Sequence, residues 1–85
     1  MKVVLTKRFD RELKKIPLRL RPETEQKVEL FLTDPHHPSL KTHKLSGQMK
    51  NFWSFSVNFK TRIIFKYLED GTIAFLSIGD HSTYD

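Results

Sequence analysis

The pattern of hydrophobic and polar positions divides the chain into a helical first half and a β-rich second half. The apolar run at residues 3–5 predicts a short strand, and Thr6 follows it where it can cap a helix. A helix is predicted over residues 7–16, because its apolar residues fall on one face: Phe9, Leu13 and Ile16. A second helix is predicted from Pro22 to about Thr33, with this buried face: Leu20, Thr24, Val28, Phe31 and Leu32. The proline-rich residues 33–40 end it.

From residue 51 onward the period of the pattern changes to two, as expected for strands. Residues 51–60 are predicted to place four side chains on one buried face: Trp53, Phe55, Val57 and Phe59. Residues 62–67 alternate in the same way, and residues 69–71, Glu-Asp-Gly, predict a hairpin turn. The last strand, residues 72–79, is apolar at nearly every position and is therefore expected inside the sheet.

The predicted fold is a single α+β domain over residues 1–85, with the order β-α-α-β-β-β and both N-terminal helices packed on one face of a small antiparallel sheet. Two helices cover only one face, so the other is expected to be open. That face is polar and basic: Ser54, Ser56, Asn58, Lys60, Arg62 and Lys66.

Composition narrows the class of protein. The chain has no cysteine, which excludes disulfides and thiolate zinc sites. It has no signal-like start and no apolar run of membrane-spanning length, so we expect a cytoplasmic protein without a membrane partner.

The positive charge is concentrated in one stretch. Residues 35–68 carry six Lys or Arg, three His and no acid, whereas residues 69–85 carry four acids and no Lys or Arg. A basic surface of this kind attracts polyanions such as nucleic acid; the alternative is a set of lysines that only maintain solubility.

Four side chains could do chemistry on or beside the basic face: His43, Arg62, His81 and Tyr84. A fixed guanidinium can stabilise charge on a phosphate, although Arg62 could instead pair with Glu69 or Asp70. Imidazole can act as acid or base near neutral pH, although His43 could be a plain loop residue and His81 a terminal residue without a role. Tyr84 could stack on a base or cover the edge of the core.

The basic half has no Gly-rich phosphate loop and no pair of carboxylates, which argues against two-acid or two-metal hydrolysis. A zinc site of His36, His37 and His43 lacks typical spacing and is also disfavoured. Acid–base cleavage of RNA without a metal or other cofactor remains, because RNA supplies its own 2′-hydroxyl as nucleophile. This chemistry requires Arg62 and His81 to lie on the same side of the sheet.

Four motifs in order, H-x-L-x-G at residues 43–47, W-S-F-S-V at 53–57, R-I-I-F at 62–65 and I-G-x-H at 78–81, resemble the RelE/ParE superfamily of bacterial type II toxins. The resemblance covers nearly the whole chain and is strongest to the RelE-like mRNA interferases. It implies a toxin that an antitoxin neutralises and that cleaves mRNA in the ribosomal A site, with His43, Arg62 and His81 as catalytic residues. It also implies contacts to ribosomal RNA or mRNA by basic and polar residues: Arg11, Lys14, Lys15, Lys41, Lys44, Lys50, Ser56, Lys60 and Lys66.

The sequence departs from the family pattern at three positions. Tyr84 lies three residues after His81, whereas many members place the terminal aromatic residue further on, and Ser56 and Lys60 replace a histidine and an acid of another branch. Two other functions remain open: a ParE-like gyrase poison without nuclease chemistry, and a non-catalytic RNA-binding protein.

Overall fold

The structure, a computed structural model, describes residues 1–47 and 51–80 as two helices and five strands. The elements are β1 (Val3–Leu5), α1 (Lys7–Lys14), α2 (Arg21–Thr33), β2 (His43–Lys44), β3 (Trp53–Ser56), β4 (Thr61–Tyr67) and β5 (Ile73–Asp80). Short 3₁₀ turns at Leu18–Leu20 and Pro38–Leu40 precede α2 and β2. The predicted α+β class is confirmed. None of the described helices is long and apolar enough to cross a membrane.

The sheet is mixed rather than antiparallel, which corrects the predicted arrangement. Its strand order is β1-β5-β4-β3-β2, and β1 runs parallel to β5 while all other neighbours are antiparallel. Parallel strands require a crossover connection, and here the helices supply part of it. The sequence also missed β2, because its two residues, His43 and Lys44, are polar and too few to show a period. The expected interior position of β5 is confirmed.

The hydroxyl of Thr6 fixes the junction between β1 and α1. As predicted, it caps α1 by accepting a hydrogen bond from the backbone N–H of Phe9 at 3.1 Å. It also donates to the backbone carbonyl of Phe75 at 3.0 Å, and the Thr6 N–H donates to the same carbonyl at 3.2 Å. One threonine therefore starts α1 and fastens it to β5.

The core lies between the helices and one face of the sheet, and Phe31 of α2 occupies its centre. The Phe31 ring is fully buried and stacks on Phe55 with ring centroids 4.4 Å apart. It meets the edges of Phe65 at 4.9 Å and Phe75 at 5.8 Å. Phe9 of α1 contacts Phe75 at 5.4 Å, so both helices pack on the same face of the sheet, as predicted.

Two predicted core positions are wrong. Leu32 is 38% exposed, and its neighbour Leu30 packs against the core instead. Phe59 is 86% exposed, because β3 ends at Ser56 and the chain turns before the alternation reaches that residue.

The predicted turn at residues 69–71 joins β4 to β5. Gly71 adopts a φ of 86°, which suits glycine, and the Thr72 N–H donates to the Asp70 carboxylate at 2.9 Å. That hydrogen bond lowers the pKa of Asp70.

The second face of the sheet is less open than the sequence predicted. Cross-strand partners share a face, and His43, Ser54 and Ile64 form one such row across β2, β3 and β4. Ser54 is fully buried and Ile64 is 1% exposed. The centre of the polar face is therefore buried. The side chains of this face that solvent can reach lie around Ser54 and Ile64.

Candidate active site

Arg62 lies on the face opposite the helices, between two small cross-strand neighbours. Ser56 of β3 and Gly79 of β5 are its register partners, and Gly79 leaves open space where a side chain would stand. Direct partners are about 4.5–5.5 Å apart between Cα atoms. The side chain of Arg62 is half-buried in this gap.

The Nε atom of Arg62 is buried and has no hydrogen-bond partner in the part of the chain that the structure describes. The alternative of a surface pair with Glu69 or Asp70 is not observed. Arg62 forms no ion pair within 4 Å with either carboxylate, whereas Arg8 and Glu12 do form such a pair. A buried, unpaired donor on a cationic group is costly and calls for an acceptor. An anionic oxygen, such as that of a phosphate, would supply such an acceptor for a guanidinium.

His43 lies on the same face as Arg62, with one ring nitrogen already occupied. Its Nδ1 lies 2.9 Å from the backbone carbonyl of Lys41, which has a left-handed φ of 51°. A carbonyl oxygen only accepts, so Nδ1 carries the hydrogen of this bond. In the neutral ring, Nε2 then keeps its lone pair, and the exposed side chain can accept a proton there.

The register fixes how far apart these two groups stand. From His43, two strand spacings across the sheet lead to Ile64, and Arg62 is two residues further along β4. Strand spacings of about 4.8 Å and a two-residue step of about 6.8 Å give about 12 Å between the Cα atoms of His43 and Arg62. Both side chains project to the same side, with Ser54 between them, and can reach toward one ligand from two directions.

The sequence did not single out Ser54 as a site residue. Its hydroxyl is buried with no hydrogen-bond partner among the described residues, in the row between His43 and Ile64. Nothing in the alternation distinguishes it from Ser56, whose hydroxyl donates to the Asn58 carbonyl at 2.7 Å. The difference depends on what covers each serine, which a local pattern does not contain.

The other predicted site residues do not form one continuous surface. Lys66 is half-buried on the face of Arg62, and Lys60 is exposed in the turn after β3. Lys44 pairs with Trp53 and so projects to the opposite face from His43. Three of the predicted contacts belong to the helical layer: Arg11, Lys14 and Lys15. Lys41 is exposed before β2.

Three predicted site residues lie outside the described residues: Lys50, His81 and Tyr84. The described part of β5 ends at Asp80, whose register partner is Thr61, and Gly79 is the partner of Arg62. Within residues 1–47 and 51–80, no group of three or more His, Asp or Glu side chains is placed to hold a metal ion.

Comparison with known proteins gives a consistent answer for the fold. No protein-family model and no curated protein sequence matches the chain. A copper-bound mutant toxin from Helicobacter pylori superposes with a TM-score of 0.79 at 24% identity, over 100% of this chain and 99% of that one. YafQ from E. coli gives 0.79 at 19% identity, over 96% and 94%. A YoeB/ParE toxin from Agrobacterium tumefaciens gives 0.71 at 18% identity, over 95% and 99%.

YafQ has also been solved as a complex with DinJ, and that chain gives a TM-score of 0.71 at 20% identity, over 96% of this chain and 94% of YafQ. These likenesses define the class of fold. The protein has the fold of the RelE/ParE toxins, as the sequence motifs implied.

Proposed function

We propose that the protein is the toxin of a type II toxin–antitoxin system and cleaves ribosome-bound mRNA as a metal-free endoribonuclease. The observation that carries the proposal is the buried Nε of Arg62, which has no hydrogen-bond partner among the described residues and lies between Gly79 and Ser56 on the face that also bears His43. The absence of a carboxylate pair in the basic half of the sequence favours acid–base chemistry over two-metal hydrolysis.

The reaction requires three roles. The 2′-hydroxyl of the RNA attacks the adjacent phosphorus while the Nε2 atom of His43 takes its proton. Arg62 binds the phosphate oxygens as negative charge builds on them. The bond to the departing 5′-oxygen breaks, and His81, two residues after Gly79 in the sequence, gives that oxygen a proton. The products are a 2′,3′-cyclic phosphate and a 5′-hydroxyl end, so all atoms and protons balance.

A cognate antitoxin is the protein partner that this function requires. YafQ, with the same fold, forms a complex with DinJ, which supports an antitoxin for this chain. The ribosome with its bound mRNA is the second partner. The basic residues around the sheet attract the phosphates of ribosomal RNA and mRNA.

The test is to map mRNA 5′ ends in a translation extract with the wild-type protein and with Arg62→Ala. We expect new 5′ ends only when ribosomes translate the message, and an about 10²–10³-fold slower appearance with Arg62→Ala, as for loss of one well-placed charge donor. Lys7→Ala, which removes one exposed positive charge from α1, is the matched control and should cleave normally. A loss below tenfold with Arg62→Ala would make that residue an ordinary surface arginine.

The rival function, gyrase poisoning, predicts a different result from the same protein. A gyrase poison produces gyrase-dependent DNA breaks and leaves translated mRNA intact. Because it has no nuclease activity, Arg62→Ala would not change mRNA cleavage in that case. Intact mRNA together with DNA breaks would replace the nuclease proposal.

A further inference from the structure

Every polar group of Asn58, in the turn between β3 and β4, takes part in a hydrogen bond. Its Oδ1 atom accepts from the backbone N–H groups of Lys60 at 2.9 Å and Thr61 at 2.8 Å. Its Nδ2 atom donates to the Glu23 carboxylate near the start of α2 at 3.1 Å. Its backbone N–H donates to the Thr61 carbonyl at 3.3 Å, and its carbonyl accepts from the Ser56 hydroxyl at 2.7 Å. One residue thus fixes the turn internally and joins it to the helical layer.

Two of the residues that Asn58 contacts are immediate neighbours of Arg62. Thr61 precedes Arg62 at the first position of β4, and Ser56 is the register partner of Arg62 on β3. The register partner on the other side, Gly79, has no side chain. Ser56 is therefore the cross-strand partner whose side chain lies beside Arg62, and the Asn58 carbonyl fixes the direction in which its hydroxyl donates.

No polar contact among the described residues fixes the guanidinium of Arg62. Its Nε atom is buried without a hydrogen-bond partner there, and the side chain forms no ion pair with a described carboxylate. The position of the guanidinium therefore depends on the backbone of β4 and on the side chains around it. This dependence matters for a group that must meet a phosphate, because a displacement of about 1 Å can cost about 10²-fold in rate.

We propose that Asn58 is a positioning residue for Arg62. It holds two neighbours of that arginine, and with them the guanidinium, in the position from which it can bind a phosphate. The contact with Glu23 connects this arrangement to α2, which packs on the core. The expected effect on cleavage rests on the nuclease function proposed above, whereas the effect on the Arg62 side chain does not.

The alternative is that Asn58 stabilises the turn and has no particular effect on Arg62. Asparagine is common in turns, because its side chain accepts hydrogen bonds from backbone N–H groups nearby. Two contacts go beyond that role. The bond from the Ser56 hydroxyl involves the cross-strand partner of Arg62, and the bond to Glu23 joins residues 35 positions apart in the sequence. A turn closes without either contact, so both favour positioning.

The first measurement reads the Arg62 side chain directly, without RNA or ribosomes. The probe is the nitrogen–hydrogen NMR signal of its Nε–H group, assigned by its absence in Arg62→Ala. We expect a slowly exchanging signal in the wild-type protein, because the Nε atom is buried. Asn58→Ala should shift this signal toward that of a solvent-exposed arginine and speed its exchange with water by about tenfold or more. Asn51→Ala, which removes an exposed amide before β3, is the matched control and should leave the signal unchanged.

An inverted donor–acceptor pair keeps the test informative if Asn58→Ala does not fold. Asn58→Asp retains an acceptor oxygen for the two N–H groups of the turn but places a second carboxylate against Glu23. Adding Glu23→Gln supplies an amide donor that faces the new carboxylate. We therefore expect Asn58→Asp alone to lose the wild-type Arg62 signal and the double variant to recover it.

The second measurement is a double-mutant cycle for single-turnover cleavage of ribosome-bound mRNA. We expect Asn58→Ala to lower the rate at saturating protein by about 10²-fold and to change the half-saturating concentration by less than about twofold. Because the effect passes through Arg62, adding Asn58→Ala to Arg62→Ala should slow cleavage no further. Two losses that multiply would show that Asn58 acts by another route, and the proposal would be wrong.

The outcomes separate this proposal from the nuclease proposal. If the wild-type protein does not cleave mRNA, the nuclease proposal fails, and the NMR signal still tests whether Asn58 positions Arg62. If Asn58→Ala or Asn58→Asp lowers stability in urea and leaves the signal at its wild-type shift and exchange rate, Asn58 is a structural turn residue only. A rapidly exchanging Arg62 signal in the wild-type protein would also overturn the positioning role.

Discussion

At the scale of the residue, the hydrogen bond between His43 Nδ1 and the Lys41 carbonyl decides what the imidazole can do. It fixes the ring orientation and leaves Nε2 as the atom that can take a proton. The left-handed backbone at Lys41 points that carbonyl at the ring, so the loop before β2 sets the tautomer. This orientation is the one that the proposed role of His43 as general base requires.

We therefore expect His43→Ala to slow cleavage of ribosome-bound mRNA by about 10²–10⁴-fold, the usual contribution of a positioned base. Rates of 5′-end formation measure the effect, and urea unfolding checks that the fold is unchanged. His36→Ala removes another exposed imidazole, from the loop before β2, and is the control expected to cleave normally. Cleavage by His43→Ala at the control's rate would assign the base to another residue.

At the scale of the element, α1 stabilises the outer edge of β5 beyond the point where β1 ends. β1 pairs with β5 only as far as Phe75. The carboxylate of Glu12 then accepts hydrogen bonds from the Ser77 hydroxyl at 2.7 Å and the Ile78 N–H at 3.3 Å. Glu12 thus accepts hydrogen bonds from β5 where β1 no longer pairs with it. These hydrogen bonds stabilise the part of β5 that precedes Gly79.

Removing this carboxylate takes away the acceptor of two buried donors, the Ser77 hydroxyl and the Ile78 N–H, and such a loss costs about 1–3 kcal/mol. We expect Glu12→Ala to lower the free energy of unfolding in urea by that amount, and Glu12→Gln to lose less because an acceptor oxygen remains. Glu25→Ala removes an exposed carboxylate of α2 for which no such hydrogen bond is found among the described residues, and it should change little. Equal stability of Glu12→Ala and Glu25→Ala would show that the edge contact is not stabilising.

The strand β3 and the turn after it show where the alternation of apolar and polar residues predicts burial and where it fails. Alternation correctly predicted that Trp53 and Phe55 of β3, and Val57 directly after it, pack toward the core, because burial on one face imposes period two. The same alternation failed at Phe59, because Asn58 ends the strand through hydrogen bonds to Lys60 and Thr61.

In the candidate active site, too, some features follow from the local sequence pattern and others do not. Strand parity correctly placed Arg62 and Ser56 on the face opposite the helices. The burial of Ser54 and Ile64 and the pairing of β1 with β5 depend on contacts between distant segments, which no local period encodes. The hydrogen bond of His43 also depends on an unusual φ at Lys41, for which its residue type gives no signal.

At the scale of the whole molecule, Phe31 is a central contact between the helical layer and the sheet. Phe31 contacts rings from three adjacent strands, so it connects α2 to β3, β4 and β5 at once. A chain of 85 residues can bury only a small core, so little else compensates for the loss of this ring.

Truncation of this side chain should cost about 3–5 kcal/mol, a large part of the stability of a small domain. We expect Phe31→Ala to be largely unfolded by circular dichroism at 37 °C, and Phe31→Leu to stay folded with a lower melting temperature. Leu32→Ala, one residue along the same helix and partly exposed, is the control expected to melt near wild type. A cooperative transition of Phe31→Ala close to that of wild type would contradict a central role for this ring.

The parallel pairing of β1 with β5 has a consequence for synthesis. Val3 pairs with Ile73, so β1 acquires its neighbour only after the chain has been translated through β5. A nascent chain cannot complete the sheet, and Arg62 cannot gain Gly79 as its neighbour, until the final strand emerges. The pairing that places Arg62 beside Gly79 therefore forms only after β5 has been synthesised.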